Sequence, residues 1–195
     1  VAGDAGVRLD HALVMYLTLP PHGSDSSHIE FFRRLDASFR QVPGIRAAGV
    51  GTTTPLSNNF SGTAFEIPGR APESNGRPLG GIAQQVTPRY LDATGVHIEE
   101  GRGIDDRDVA GAQRAVVINR YMATTLWSHT SAIGRLMKIG DSTWTVVGIA
   151  SNVHHGGLDE ELRYTFYRSV YQAPRDYGVL AVWTSAAPDS MRDVV

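Results

Sequence analysis

The chain of 195 residues contains no cysteine. This excludes a disulfide framework, thiol catalysis and Cys-ligated zinc or iron–sulfur centres; it fits any redox compartment and so does not locate the protein. Lys138 is the only lysine among 18 basic residues, which leaves little room for a lysine-centred active site. Long apolar runs are also missing. The longest, Ala12 to Leu17, has six residues, against the ~20 that a membrane helix needs. Neither sign of charge is in excess (net −2), so the electrostatic footprint of a nucleic-acid binder is lacking. No signal peptide is visible, because Val1 opens without Met or a basic n-region, and the start is expected to be that of a fragment cut from a longer chain. What is present is ordinary globular composition, 42% hydrophobic and 19% charged. A chain of this size makes one large domain or two small ones and buries roughly 70% of its unfolded surface without staples. The 21 glycines and 10 prolines predict many turns.

Residues 1–10 have no period and read as a linker. From Ala12 to Leu19 the residues alternate, with Leu13, Met15, Leu17 and Leu19 on one face and Val14, Tyr16 and Thr18 on the other, predicting a strand buried in part on both faces. After a loop at 20–27, Ser27 and Glu30 form a capping box. Ile29, Phe32, Leu35, Phe39 and Val42 then recur at helical spacing, while Arg33, Arg34, Asp36 and Arg40 fall mostly elsewhere on the wheel. Pro43-Gly44 stops that helix, and Ile45 to Thr53 is a small-residue strand, completing a βαβ-like opening. Residues 55–81 form a long excursion rich in Gly, Pro, Ser and Asn, with one short strand at 64–67. Order returns at Ile82 to Val86. Thr87 caps a short helix with Pro88 at its first position, Tyr90 and Leu91 facing in and Gly95 closing it. Ala115 to Ile118 is a buried strand, Arg120 to Trp127 a helix, and Leu136 to Ile139 with Thr143 to Ile149 a hairpin turned at Gly140-Asp141. Phe166 to Tyr171 and Val179 to Thr184 are strands, and Pro188 to Val195 opens a helix that the chain end cuts off.

No arrangement of titratable groups rises above background. Gly49-Val50-Gly51-Thr52-Thr53-Thr54 has a partial phosphate-loop look, but no helix follows it, and a strand packed tightly on a helix is the better reading. Asp105, Asp106 and Asp108, with Glu99 and Glu100, are the densest acidic patch. They fit no EF-hand register and read as a solvated turn neutralised by Arg102, Arg107 and Arg114, where replacing any of the three aspartates with Asn changes little. His154-His155, followed by Asp159, Glu160 and Glu161, is the only His pair. On a strand the two would point to opposite sides and could not share a metal, and Gly156-Gly157 then turns the chain. Gly140-Asp141-Ser142-Thr143-Trp144 lacks the glycine and helix of a nucleophile elbow. Asn59-Phe60-Ser61 is a glycosylation sequon by rule alone. Tyr90, Trp127, Trp144, Tyr167 and Tyr171 read as packing aromatics. The residues therefore give no catalytic, cofactor-binding or metal-binding site.

Several segments together resemble the periplasmic core domain of MacB-type ABC transporter permeases, within the wider MacB/FtsX-like group. They are Val42-Pro43-Gly44-Ile45, Thr54-Pro55-Leu56, Gly69-Arg70, Val86-Thr87-Pro88-Arg89-Tyr90-Leu91 through Gly95-Val96, Gly101-Arg102, Val117-Ile118-Asn119, Ile133-Gly134, Val146-Val147-Gly148-Ile149, and Tyr167 with Tyr171-Gln172. Arg120 stands where the family has Glu, and Ser169 where it has Pro. The resemblance implies an α+β, two-lobed fold: a porter-like βαβ lobe at 10–55 and 178–195, split by an inserted mixed, mainly β lobe at 56–177. It implies an extracytoplasmic domain between two membrane helices of a bacterial inner-membrane permease, non-enzymatic and without cofactor, that transmits movement during efflux. The partners implied are a second permease copy, a periplasmic adaptor contacting 57–81, and a separate or fused ATP-binding domain; nucleic acid is not among them. The isolated fragment is expected to be a monomer. The competing readings are an FtsX-like regulatory domain that recruits and activates a cell-wall hydrolase, and a free-standing periplasmic ligand-binding protein with a pocket of converging polar groups.

Overall fold

The computed structural model describes residues 6–7, 11–20, 23–54, 60, 62–71, 76–155 and 161–185. The elements are β1 (Ala12–Thr18), α1 (Asp25–Phe39), β2 (Ile45–Gly51), β3 (Gly62–Phe65), β4 (Leu79–Val86), α2 (Tyr90–Thr94), β5 (Ile98–Gly101), β6 (Ala115–Asn119), α3 (Arg120–Leu126), β7 (Leu136–Ile139), β8 (Ser142–Ala150), β9 (Thr165–Ser169) and β10 (Tyr177–Thr184). Most of the linker at 1–10, Pro55-Leu56, the sequon apart from Phe60, Gly156-Gly157, Asp159, Glu160 and the helix expected from Pro188 lie outside the described residues.

All ten strands join one mixed sheet in the order β1-β10-β2-β4-β9-β6-β8-β5, with β3 paired to β4 and β7 to β8. β10 is antiparallel to both β1 and β2, so β1 and β2 run parallel, joined by α1, with the last strand between them. The expected opening unit is therefore a split βαβ. The step from β2 to β4 rests on one ladder pair, Gly51 with Val86. Alternation along the strands divides the core. Phe32 and Phe39 of α1 pack with Ala48, Val50, Leu180 and Val182. Tyr90 and Leu91 of α2 pack with Ala47, Val86 and Ala181. Met122 and Leu126 of α3 pack with Val116, Ile118, Trp144 and Phe166. Tyr90, Trp144, Tyr167 and Tyr171 are buried, as their reading as packing aromatics requires.

Three local expectations are corrected. The cap of α1 is Ser24, whose Oγ accepts the Ser27 N–H at 3.2 Å, and Glu30 pairs instead with Arg34 at 2.7 Å. An equally good capping serine three residues upstream allows a longer helix. Asp36 falls on the buried face beside Phe32 and Phe39, where its Oδ2 accepts from Arg40 Nε and Nη2 at 2.9 and 2.7 Å. The i,i+4 spacing from Asp36 to Arg40 carried that signal. β1 is an edge strand: Leu13 and Leu17 pack inward, whereas Val14, Met15 and Tyr16 are exposed. Apolar alternation cannot tell an edge strand from a central one. Ser24→Ala is expected to remove about 1 kcal/mol of stability, read from the shift of a urea unfolding midpoint; no shift would contradict the cap.

Candidate functional site

The acidic stretch is an ion-paired turn. Arg102 donates from Nη1 and Nη2 to the two oxygens of Asp108, each at 2.8 Å, and the Asp105 N–H donates to Asp108 Oδ2 at 2.9 Å. Asp108 is 1% exposed, so it is a core anchor and not part of a solvated turn, and Asp108→Asn is now expected to be costly. Arg107 bonds Asp105 at 2.7 Å. Two cations come from distant elements: Arg40, the C-cap of α1, reaches Asp106 at 3.1 Å, and Arg120 of α3 holds Glu99 and Glu100 at 2.5 and 2.6 Å. Arg114, expected here, instead bonds Ser142 Oγ and lies over the Trp144 ring. Every carboxylate of the stretch has a guanidinium partner. Among the described residues no group of three His, Asp or Glu side chains is placed to hold a metal.

The Asp105 carboxyl is lowered to about 2, first by its bond to Arg107. A depressed carboxyl stabilises the fold above its unfolded value and loses that contribution as pH falls through the folded one. Asp105→Asn is therefore expected to flatten the fall in urea midpoint between about pH 4 and pH 2. The effect is small because Asp105 is partly solvated; an unchanged acid limb would contradict the assignment.

At the middle of the sheet, β2, β4 and α2 meet. A Cβ on Gly49 would lie 2.4 Å from the Tyr90 nitrogen, and one on Gly51 2.4 Å from Tyr90 Cζ. The glycines that looked like a phosphate loop thus let α2 lie directly on β2. The Tyr90 hydroxyl donates to the Thr53 carbonyl at 2.5 Å, and burial raises its pKa. Thr87 does not cap α2: its N–H donates to the Val50 carbonyl at 2.8 Å, and its Oγ1 accepts the Val50 N–H at 2.9 Å. The N-cap is Arg89, without a side-chain bond. Gly95 ends α2 in the left-handed region (φ 77°), as expected. A cavity of about 370 Å³ opens beside this junction, lined by Arg40, Pro88, Arg89, Asp92, Ile104 and Asp106 among others.

Two further motif residues act as backbone ties, a role their sequence context did not reveal. Asn119, fully buried, accepts from the N–H groups of Met122 and Thr165 at 3.1 and 3.2 Å and donates to the Arg163 carbonyl at 2.8 Å. Gln172 accepts from Ala115 N–H at 3.1 Å and donates to the carbonyls of Val109 and Gln113 at 3.2 and 2.9 Å. The histidines are not on a strand; His155 is buried, with Nε2 3.1 Å from Thr165 Oγ1. Gly140-Asp141 turns the β7–β8 hairpin, which pairs Ile139 with Ser142. In the excursion, β3 and the start of β4 border a cavity of about 560 Å³ lined by Phe65, Ile67, Pro68, Arg70, Leu79 and Lys138 among others.

The fold is thus one large mixed sheet with a split βαβ unit at one end. The periplasmic region of MacB from Actinobacillus actinomycetemcomitans superposes with a TM-score of 0.63 over 97% of this chain and 82% of that one, at 12% identity. The extracellular domain of the noncanonic ABC-type transporter YknZ from Gram-positive bacteria gives 0.59 over 93% and 87%, at 15% identity. At these identities the likeness is one of fold. The chain belongs to the family of the MacB-like periplasmic core domain, whose profile matches residues 14–193. A sequence relative is the macrolide export ATP-binding/permease protein MacB 1/2 of Paracoccus denitrificans, 30% identical over 95 residues. That alignment covers 49% of this chain and 14% of the relative, so the chain corresponds to a small part of such a transporter. The chain is thus a MacB-like periplasmic core domain. No helix among the described residues is long and apolar enough to cross a membrane.

Proposed function

We propose that this domain relays movement between membrane helices and the periplasm and performs no bond chemistry. The observation that carries the reading is the pairing of the first described strand with the last. Ala12 of β1 lies opposite Trp183 of β10, and the Thr184 N–H donates to the His11 carbonyl at 3.0 Å. The first and last described strands therefore lie side by side at one edge of a sheet that runs on to β5 through the single β2–β4 ladder pair. A displacement at that end is carried by strand ladders instead of being absorbed in a linker. In this proposal 10–55 with 178–195 forms the membrane-linked lobe and 56–177 the distal one, and they meet at Gly51–Val86, Thr87 and Tyr90. ATP is hydrolysed on a cytoplasmic domain, a second permease copy moves against this one, and the surface at 57–81 meets an adaptor. The cargo is an exported amphiphile, peptide, antibiotic or lipoprotein.

The test is Thr87→Val in the full-length permease, which keeps the shape of the side chain and removes the acceptor for Val50. ATP hydrolysis is expected to continue while export falls severalfold. Export at the wild-type rate would contradict the relay. Recovery of a cell-wall amidase or endopeptidase as its periplasmic partner would favour the regulatory reading.

A further inference from the structure

Two arginines lie on one indole ring, a third adds its charge, and no acid among the described residues forms an ion pair with any of them. Arg168 of β9 is only 8% exposed, and its Nε has no hydrogen-bond partner. Its guanidinium carbon lies 5.0 Å from the Trp144 ring centre and 5.9 Å from that of Phe166. Arg114 lies over the same indole at 5.5 Å. Burial first, and then the charges of Arg175 and Arg114, lower the Arg168 pKa to about 10. Every ion pair among the described residues uses other cations. The indole Nε1 of Trp144 is also buried without an acceptor.

A guanidinium withdrawn from water is costly unless an anion faces it. Aromatic faces offset part of that cost, but they do nothing about the repulsion among three like charges. We propose that Arg168, Arg114 and Arg175 form a binding site for a phosphate group. A phosphate carries −1.5 to −2 charges and three strong acceptor oxygens, and guanidinium forks engage such oxygens in pairs. A single carboxylate would leave two of the three positive charges unbalanced. Arg168 lies deep, whereas Arg114 and Arg175 are exposed. The site therefore takes the phosphate end of a ligand and leaves the remainder outside, which fits either free phosphate or the phosphorylated headgroup of an amphiphile.

The experiment titrates the 195-residue chain with inorganic phosphate against chloride at fixed ionic strength, following the Trp144 indole and Arg168 Nε–H resonances by NMR. Saturable shifts are expected, with affinity about tenfold weaker in Arg168→Gln and in the exposed variant Arg114→Gln. Arg34→Gln, on the outer face of α1, should bind as the wild type does. Vesicles of phosphatidic acid and of phosphatidylcholine form the second arm. Retention on the former alone, lost in Arg168→Gln, assigns a headgroup; binding of inorganic phosphate without vesicle retention assigns the free ion. Absence of both, or binding that neither Arg168→Gln nor Arg114→Gln weakens, would overturn the proposal. If Arg168→Gln fails to fold, Arg114→Gln decides alone.

Discussion

Phe32→Ala is expected to lower the unfolding free energy by about 3–5 kcal/mol. Phe32 is fully buried between α1 and the strands of the split βαβ unit, in the cluster that holds Phe39, Val50, Leu180 and Tyr171. Val50 and Leu180 among the neighbours are strand residues paired in register with each other, so the site collapses little around the missing ring, and the cavity term adds to the lost transfer energy. Phe31, one position away and 39% exposed, is the control: Phe31→Ala should shift the urea midpoint far less. Equal effects at the two positions, or none at Phe32, would mean that α1 does not dock on this face.

Asp108→Ala is expected to cost about 3 kcal/mol. The substitution removes both oxygens of the buried carboxylate from Arg102 and from the Asp105 N–H, leaving Arg102 only the Gly103 carbonyl at 3.0 Å and Asp105 at 3.3 Å. The figure lies at the lower end of the range for breaking a buried pair because the Arg102 side chain is 33% exposed and recovers some hydration. Asp106→Ala, which removes only a solvated pair with Arg40, should stay within about 1 kcal/mol. Chemical denaturation of the two variants side by side checks the contrast, and a small loss at Asp108 would return the turn to the solvated surface that composition suggested.

These two residues also mark how far the sequence could be read. Phe32 was legible because helical periodicity survives in α1 and a buried aromatic needs no partner. Most strand positions between Ala12 and Thr184 were legible for the same reason, as apolar alternation bounded by Gly and Pro is local; β5 was not, because Glu99 and Glu100 fill its centre and made it read as part of the acidic turn. Asp108 was not legible: a cluster of acids looks alike whether water or arginine surrounds it, and Arg40 and Arg120 arrive from elements far along the chain. Thr87 was misread by the same kind of limit. Thr-Pro before a helix is a good local cap, but the Val50 backbone 37 positions upstream claimed its hydroxyl. Gly49 and Gly51 were read correctly as close packing, although only the structure identifies Tyr90 as the ring they admit.

The relay is tested most directly by distances in the full-length permease. Spin labels at Ala37→Cys on α1 and Thr124→Cys on α3, both exposed, would be the only thiol labels in this domain, which has no cysteine of its own. Through the ATP cycle the distance between the two labels of one copy is expected to stay constant, while the distance between Ala37→Cys labels on two copies changes. A change within one copy as large as that between copies would put a hinge at the β2–β4 junction and contradict a stiff relay.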